Sequence, residues 1–195
     1  MDHDHLRQLL ESVSRGEVSV GEGMERLKNL PFEDIGFAHV DHHRSIRCGF
    51  PEVIFCPGKT TEQIVEISRR LAKGGGNILA TRANETVYEA VKAALPDARY
   101  NELARCIVLR QKPPQLSRGT VGLICAGTSD VPVAEEARET LEIMDQRVEA
   151  FYDVGVAGLH RLLAKHDRLR QMNVVIVVAG MEGALPSVVG GLVCA

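Results

Sequence analysis

An α/β fold built on parallel strands is what this sequence predicts, and three observations carry the expectation. From Glu52 onward, short apolar runs alternate with segments of helical period, the pattern of successive strand–helix–strand units. Aromatic residues make up only 4% of the chain and Trp is absent, so Val, Ile, Leu and Ala must fill the core, as in sheets covered on both faces. Hydrophobic residues at 45% and charged residues at 25% are the balance of an ordinary folded protein. A length of 195 residues allows one domain or two small ones.

Residues 4–29 read as two short helices. Leu6, Leu9, Leu10 and Val13 recur at helical spacing, Gly16 interrupts, and a second segment carries Met24 and Leu27 before Pro31. We therefore expect a helical arm over residues 1–40 and a small α/β domain over 41–112. Val53-Ile54-Phe55-Cys56 is its first strand. Thr60 then opens a helix with Gln63 three residues later, the spacing of a capping box. Ile64, Ile67 and Leu71 supply the buried face, and Gly74-Gly75-Gly76 stops the helix. Asn77 to Thr81 is the next strand. Asn84 caps a helix whose Val87, Val91 and Leu95 face inward, ended by Pro96, and Arg105 to Leu109 forms a third strand. Lys112-Pro113-Pro114 reads as a linker.

A second α/β domain is expected over 118–195. Thr120 to Ala126 is a strand, and Pro132 to Arg147 a long helix with Ala134, Ala137, Leu141, Met144 and Val148 on one face. A strand around Phe151 to Val156 precedes a helix from Gly158 to about Arg168. Val174 to Ala179 is an all-apolar strand, followed by a helix after Gly180. Such alternation implies right-handed crossovers, a parallel sheet, and ligands bound beyond the carboxyl ends of the strands.

Charge and composition exclude several functions. The 23 basic and 26 acidic side chains are mixed along the chain, with no basic stripe to neutralise a phosphate backbone, so nucleic acid is not an expected partner. Val174 to Ala179 is too short to span a bilayer, and Met1 to His5 is acidic where a signal peptide is cationic. A cytoplasmic location with no membrane partner is expected. Cys48, Cys56, Cys106, Cys125 and Cys194 are odd in number and form no Cys-x-x-Cys, which argues against a disulfide framework and a zinc site. The His residues at 3, 5, 39, 42, 43 and 166 have no metal-ligand spacing, so no metal site is expected. Asp41, Arg44 and Arg47 form either a polar site or a solvated loop.

Three turns at strand ends hold the candidate chemistry. In Ala126-Gly127-Thr128-Ser129-Asp130, Gly127 admits close approach of a ligand, while Thr128, Ser129 and Asp130 cluster at a helix start that attracts anions. Plain N-capping by Ser129 or Asp130 explains the same residues. In Ala179-Gly180-Met181-Glu182-Gly183-Ala184-Leu185-Pro186, Glu182 lies among small apolar residues. Desolvation there would raise its pKa and suit it to proton transfer near neutral pH; alternatively it favours the positive end of a helix dipole. Gly183 and Pro186 suggest a loop shaped for more than helix initiation. In Asp153 to Arg161, Gly-rich backbone precedes His160-Arg161, able to hold an anion and pass a proton, or simply to form a solvated helix face.

Gly127-Thr128-Ser129-Asp130 and Gly180-Met181-Glu182-Gly183-Ala184-Leu185-Pro186 resemble the signature loops of the aminoimidazole ribonucleotide carboxylase superfamily, with His160-Arg161 in the order of its middle loop. Arg47 to Phe55, Leu79 to Arg82, Ala126 to Ala137 and Tyr152 to Gly158 resemble one branch across nearly the whole chain. That branch is the pyridinium-3,5-biscarboxylic acid mononucleotide synthases, the carboxylase/hydrolases that begin nickel-pincer cofactor biosynthesis.

The resemblance implies a Rossmann-like C-terminal domain and a dinucleotide substrate, nicotinic acid adenine dinucleotide. It implies carboxylation at C5 of the pyridinium ring, with carbon dioxide as co-substrate, and hydrolysis of the phosphoanhydride to release AMP. No prosthetic group is implied, and there is room for a magnesium ion at the diphosphate. Glu182 would transfer the proton and Asp130 would act with it. Gly127, Thr128, Ser129, His160, Arg161, Gly180, Met181 and Gly183 would bind substrate, in a homodimer or larger assembly. A Cys thiolate adds to the ring in that family. It lies beyond the segment matching Val193, after a further strand, whereas this chain ends at Cys194-Ala195, so a shortened C-terminus is expected. A purine-pathway carboxylase would leave the first 110 or so residues without a role; a non-catalytic nucleotide-binding module is the reading from another class.

Overall fold

The structure, a computed structural model, describes residues 3–27 and 32–193. It divides into two compact units, Met1–Tyr100 with Ile107–Pro113, and Asn101–Cys106 with Pro114–Ala195.

The first unit begins with α1 (His3–Ser14) and α2 (Val20–Leu27). Gly23 is buried, and a Cβ there would lie 3.0 Å from the Val13 side chain, so its bare backbone lets the helices approach. Leu9 is buried as the helical spacing requires, but Leu10 and Met24 are exposed. A small antiparallel pair follows, β1 (Glu33–Asp34) and β2 (His39–Val40), then the single turn α3 (Arg44–Cys48). Next come β3 (Val53–Phe55), α4 (Thr61–Lys73), β4 (Ile78–Thr81), α5 (Glu85–Ala94), β5 (Arg99–Asn101) and β6 (Cys106–Leu109). The Thr60–Gln63 capping box is complete: the Gln63 amide donates to Thr60 Oγ1, and the Thr60 amide donates to Gln63 Oε1. Asn84 caps α5 by accepting from the Val87 amide at 2.9 Å. Ile54, Ile64, Ile78, Val91 and Ile107 form the centre of the core.

This sheet is mixed rather than all parallel. Its order is β3-β4-β6-β5; β3 and β4 run parallel, but β6 lies antiparallel to β4. The reason is the short strand β5, which follows α5 and sends the chain back through a tight connection instead of a crossover helix. Arg105, at φ 54°, lies in that connection.

The second unit is the parallel sheet that the alternation implies, with order β8-β7-β9 and both pairs parallel. It comprises β7 (Thr120–Cys125), a 3-10 turn (Thr128–Asp130), α6 (Val131–Ile143), β8 (Arg147–Phe151), a second 3-10 turn (Val156–Gly158), α7 (Leu159–Leu163), α8 (His166–Leu169), β9 (Val174–Val178) and α9 (Ala184–Leu192). Successive residues of central strand β7 face opposite layers. Ile124 packs with Phe151, Leu162, Leu169 and Leu185, while Leu123 and Cys125 pack with Ala134.

Boundaries shift here for identifiable reasons. The helix expected to reach Arg147 stops at Ile143, and Val148 sits on β8 instead. Asp145 adopts φ 60°, its amide donates to Glu142 O, and the Gln146 amide donates to Leu141 O. This is a Schellman stop, with Asp in the left-handed position where Gly is usual. The strand expected over Phe151 to Val156 therefore begins and ends earlier. The helix expected over 158–168 is broken between α7 and α8 at Ala164–Lys165. Of α6, Ala134, Ile143 and Glu139 are buried; Glu139 accepts from the Asn101 side chain of the same unit at 2.9 Å. Among the described residues no helix is long and apolar enough to cross a membrane.

Candidate functional site

The three turns after β7, β8 and β9 lie at the carboxyl ends of parallel neighbours, and backbone hydrogen bonds fasten them together. The Ala126 amide donates to Val178 O at 3.0 Å, and the Val154 amide to Cys125 O at 3.1 Å. Gly155 approaches Ala126 so closely that a Cβ would stand 2.8 Å from the Ala126 carbonyl oxygen.

Asp130 joins the first turn to the third. Its Oδ2 accepts from the Gly127 amide at 3.0 Å and its Oδ1 from the Gly180 amide at 2.9 Å, fifty residues away. The Asp130 amide returns a bond to Gly127 O. Asp130 does not cap α6 itself with its side chain; it caps the preceding 3-10 turn through the Gly127 amide and, through Gly180, also acts as a brace. Gly127 is extended at φ −141°. At Gly180 a Cβ would lie 2.9 Å from Asp130 Oδ1, so the brace needs Gly there.

Around the brace several of the candidate side chains are open to solvent. Thr128 and Ser129 are exposed on the 3-10 turn. Met181 is 84% exposed. Glu182 is exposed as well, which corrects the expectation that apolar neighbours would desolvate it. It stands at φ 51°, and Gly183 at φ 70° directly precedes α9. The loop does therefore start a helix, with Pro186 in its first turn, where a missing amide costs nothing. Two non-Gly residues with positive φ, Glu182 and Asp153, thus lie in these turns, the kind of strained backbone that collects at functional sites. His160 is exposed at the start of α7. Arg161 folds back, pairing with Asp153 at 2.5 Å, and its guanidinium occupies the space a Cβ on Gly158 would need.

Cys125 is the described thiol beside these turns. It is buried, donates to Gly127 O at 3.1 Å, and burial pushes its pKa up. Cys194 lies outside the described residues. No group of three or more His, Cys, Asp or Glu side chains able to hold a metal ion occurs among the described residues.

Comparison with known proteins gives the family of the chain. Residues 32–112 match the model of the LarB/PurE-like N-terminal domain. An uncharacterized protein of Methanocaldococcus jannaschii is 38% identical over 198 residues, which span 97% of this chain and 77% of that protein. The chain belongs to the LarB/PurE-like family. Membership points to carboxylase-type catalysis and agrees with the mixed α/β architecture and its parallel second sheet.

Within this LarB/PurE-like chain two polar clusters were not assigned chemistry from sequence. Tyr152, the residue after β8, donates a short hydrogen bond to Glu135 on α6, which Arg138 also approaches at 3.6 Å. Burial first, and the Glu135 carboxylate second, push the Tyr152 pKa up to about 12. The signal in sequence is a tyrosine immediately after a strand with a glutamate one turn into the preceding helix, a pairing visible only once the strand register is known. Because the folded value is raised, this group's contribution is fully present below the ordinary Tyr value of about 10 and is lost as pH rises to about 12. Alkaline denaturation should therefore show a step in that window that Tyr152→Phe removes. Tyrosinate absorbance checks it, since the late component of the titration should disappear in Tyr152→Phe.

The second cluster lies in the family-matched segment. Glu33 accepts from Arg70 at 2.6 Å and pairs with His42 at 3.0 Å, while Arg70 also reaches Glu66. Burial opposes ionisation of Glu33, yet the His42 and Arg70 hydrogen bonds hold its pKa below the usual carboxylate range. These bonds tie β1 to α4. Nearby, Asp41 pairs with Arg47 at 2.8 Å and accepts from the His43 amide, whereas Arg44 is exposed. Asp41 and Arg47 thus come together as a turn lock, to which Arg44 adds a backbone hydrogen bond.

Proposed function

We propose that the protein carboxylates the pyridinium ring of nicotinic acid adenine dinucleotide at C5 and hydrolyses its phosphoanhydride, giving pyridinium-3,5-biscarboxylic acid mononucleotide and AMP. The observation that supports this reading best is the Asp130 brace, which joins the Gly127 and Gly180 turns beyond the parallel strands. The Thr128 and Ser129 hydroxyls, exposed on the 3-10 turn, would orient a carboxylate or carbon dioxide. His160 and Arg161 supply donors from the middle turn.

A pyridinium carbon attacks carbon dioxide poorly. A thiolate that adds to the ring breaks its aromaticity and makes C5 enamine-like. C5 then forms the new bond to carbon dioxide, Glu182 takes the C5 proton, and the thiolate leaves with its bonding pair to restore the ring. Cys125 is a poor source of that thiolate, since burial pushes its pKa up.

The deciding experiment incubates the protein with nicotinic acid adenine dinucleotide and labelled bicarbonate. Label in a pyridinium mononucleotide, with AMP released, is the expected result. Label appearing instead in carboxylated aminoimidazole ribonucleotide, when that substrate is offered, overturns the reading in favour of a purine-pathway reaction. Tight binding of the dinucleotide without turnover overturns it in favour of a binding module.

A further inference from the structure

The middle turn sets a carboxylate against a guanidinium. Tyr152 packs with Leu123, Cys125 and Ala134 on one face of the second sheet, while Phe151 and Val154 pack with Ile124 on the other. Strand alternation would put residue 154 on the same face as residue 152. Asp153, at φ 56°, makes the switch between them. Both of its neighbours are thereby anchored, and its own side chain is left 54% exposed. There it pairs with Arg161 Nη1 at 2.5 Å. The guanidinium also lies on the bare backbone of Gly158, where a Cβ would stand 2.6 Å from Arg161 Nε and 3.0 Å from Nη2. An aspartate and a glycine thus hold one cation in place.

The charges of the three turns make this pairing consequential. Over residues 126–131, 152–161 and 179–186 the acidic side chains are Asp130, Asp153 and Glu182, and Arg161 is the sole Lys or Arg. Burial is the main cause that pushes the Cys125 pKa up, and the Asp130 and Asp153 charges add to it, so both carboxylates are felt at the end of β7. An anion approaching these turns therefore meets negative charge and a guanidinium that is already occupied. A phosphate takes an Arg fork through two parallel charge-assisted bonds, whereas an ion pair as exposed as Asp153–Arg161 is weak. A phosphate group can displace the Asp153 carboxylate; a lone carboxylate has no such advantage. We propose that Asp153 is a built-in competitor for Arg161, holding the guanidinium while the turns are empty and yielding it to a phosphate group of the ligand. Asp153 then determines which anions the middle turn accepts. That the phosphate belongs to the substrate rests on the dinucleotide reading above; the competition for Arg161 does not.

The test is titration of the full chain with pyrophosphate and with acetate, followed at the Gly155 and Gly158 amide resonances. Asp153→Asn tolerates the left-handed backbone and should tighten pyrophosphate about fivefold, the upper scale of an exposed ion pair. Asp153→Gly, which suits the positive φ, should do the same. Acetate should shift the two resonances in these variants and leave the wild type unmoved. Arg161→Gln should weaken pyrophosphate, and adding Asp153→Asn to it should restore nothing. The proposal is overturned if pyrophosphate does not bind the wild type at millimolar concentration. It is equally overturned if Asp153→Asn leaves the affinity unchanged or lowers it, since Asp153 would then support Arg161 rather than compete for it. A gain that survives in the Asp153→Asn, Arg161→Gln double variant would also sink it, because the effect would then bypass Arg161. Tighter pyrophosphate in Asp153→Asn, in a protein that incorporates no label from bicarbonate, would remove the carboxylase reading and leave the competitor standing. Full turnover by the wild type with unchanged pyrophosphate affinity in Asp153→Asn would do the reverse.

Discussion

Asp130→Ala should lower carboxylation by about a hundredfold or more, the scale of loss when reacting groups are misplaced by about an ångström. The carboxylate is held by two amides, Gly127 and Gly180, on turns fifty residues apart. Removing it leaves both donors without their acceptor and lets the Gly180–Gly183 turn drift from the Gly127–Asp130 turn. Hydrogen bonds to a charged group contribute about 1.5–3 kcal/mol each when intact. Asp130 is only partly buried, so water replaces much of this and a total loss of about 2 kcal/mol is expected. Asp130→Asn has a single side-chain oxygen and can serve one amide, so it should fall between. Amide hydrogen exchange reads the brace without reference to activity: the Gly180 amide should exchange faster in Asp130→Ala, while amides at the centre of β7 stay protected. Unchanged exchange at Gly180 would rule the brace out as the element that holds the turns together.

The second large effect is at Gly155. A methyl group there would sit 2.8 Å from the Ala126 carbonyl oxygen and 3.3 Å from its carbonyl carbon. These are backbone atoms at the end of the central strand, and they cannot swing aside as a side-chain tip does. Gly155→Ala should destabilise the protein by about 1–3 kcal/mol, the usual cost of forcing extra volume into a packed site. Gly190→Ala is the matched control. It lies within α9, nothing would meet its Cβ within 4 Å, and the change should add about 0.5–1 kcal/mol of stability from the helix preference for Ala. Denaturant titration of the pair gives opposite signs if the middle turn is seated on β7. Two variants of equal stability would remove that seat.

Local features of this chain were legible because neighbours in sequence create them. The Thr60–Gln63 box, the Asn84 cap and the buried face of α4 follow from spacing alone, and the structure contains all three. The end of α6 was misjudged because Asp145 takes the position where Gly would have announced the stop. The short strand β5 was not foreseen because Arg99-Tyr100-Asn101 is neither apolar nor long, and with it the antiparallel turn of the first sheet was missed. At the candidate site the sequence marked the right turns but not their partnerships. That Asp130 reaches Gly180, or that Tyr152 reaches Glu135, depends on the register of three strands. Glu182 shows the limit most plainly: small apolar neighbours in sequence suggested burial, whereas the left-handed backbone turns the residue outward.

The brace also places a carboxylate between the turns. Both partners of the Asp130 carboxylate are amide dipoles rather than cations, so its negative charge is spread between the turns without being neutralised. A ligand bearing a positive aromatic ring gains attraction there, and a neutral ring of the same shape does not. On the function proposed above, the residue that sets the distance between two loops would also draw the cationic ring of the substrate toward their common edge, an attraction that added salt should blunt.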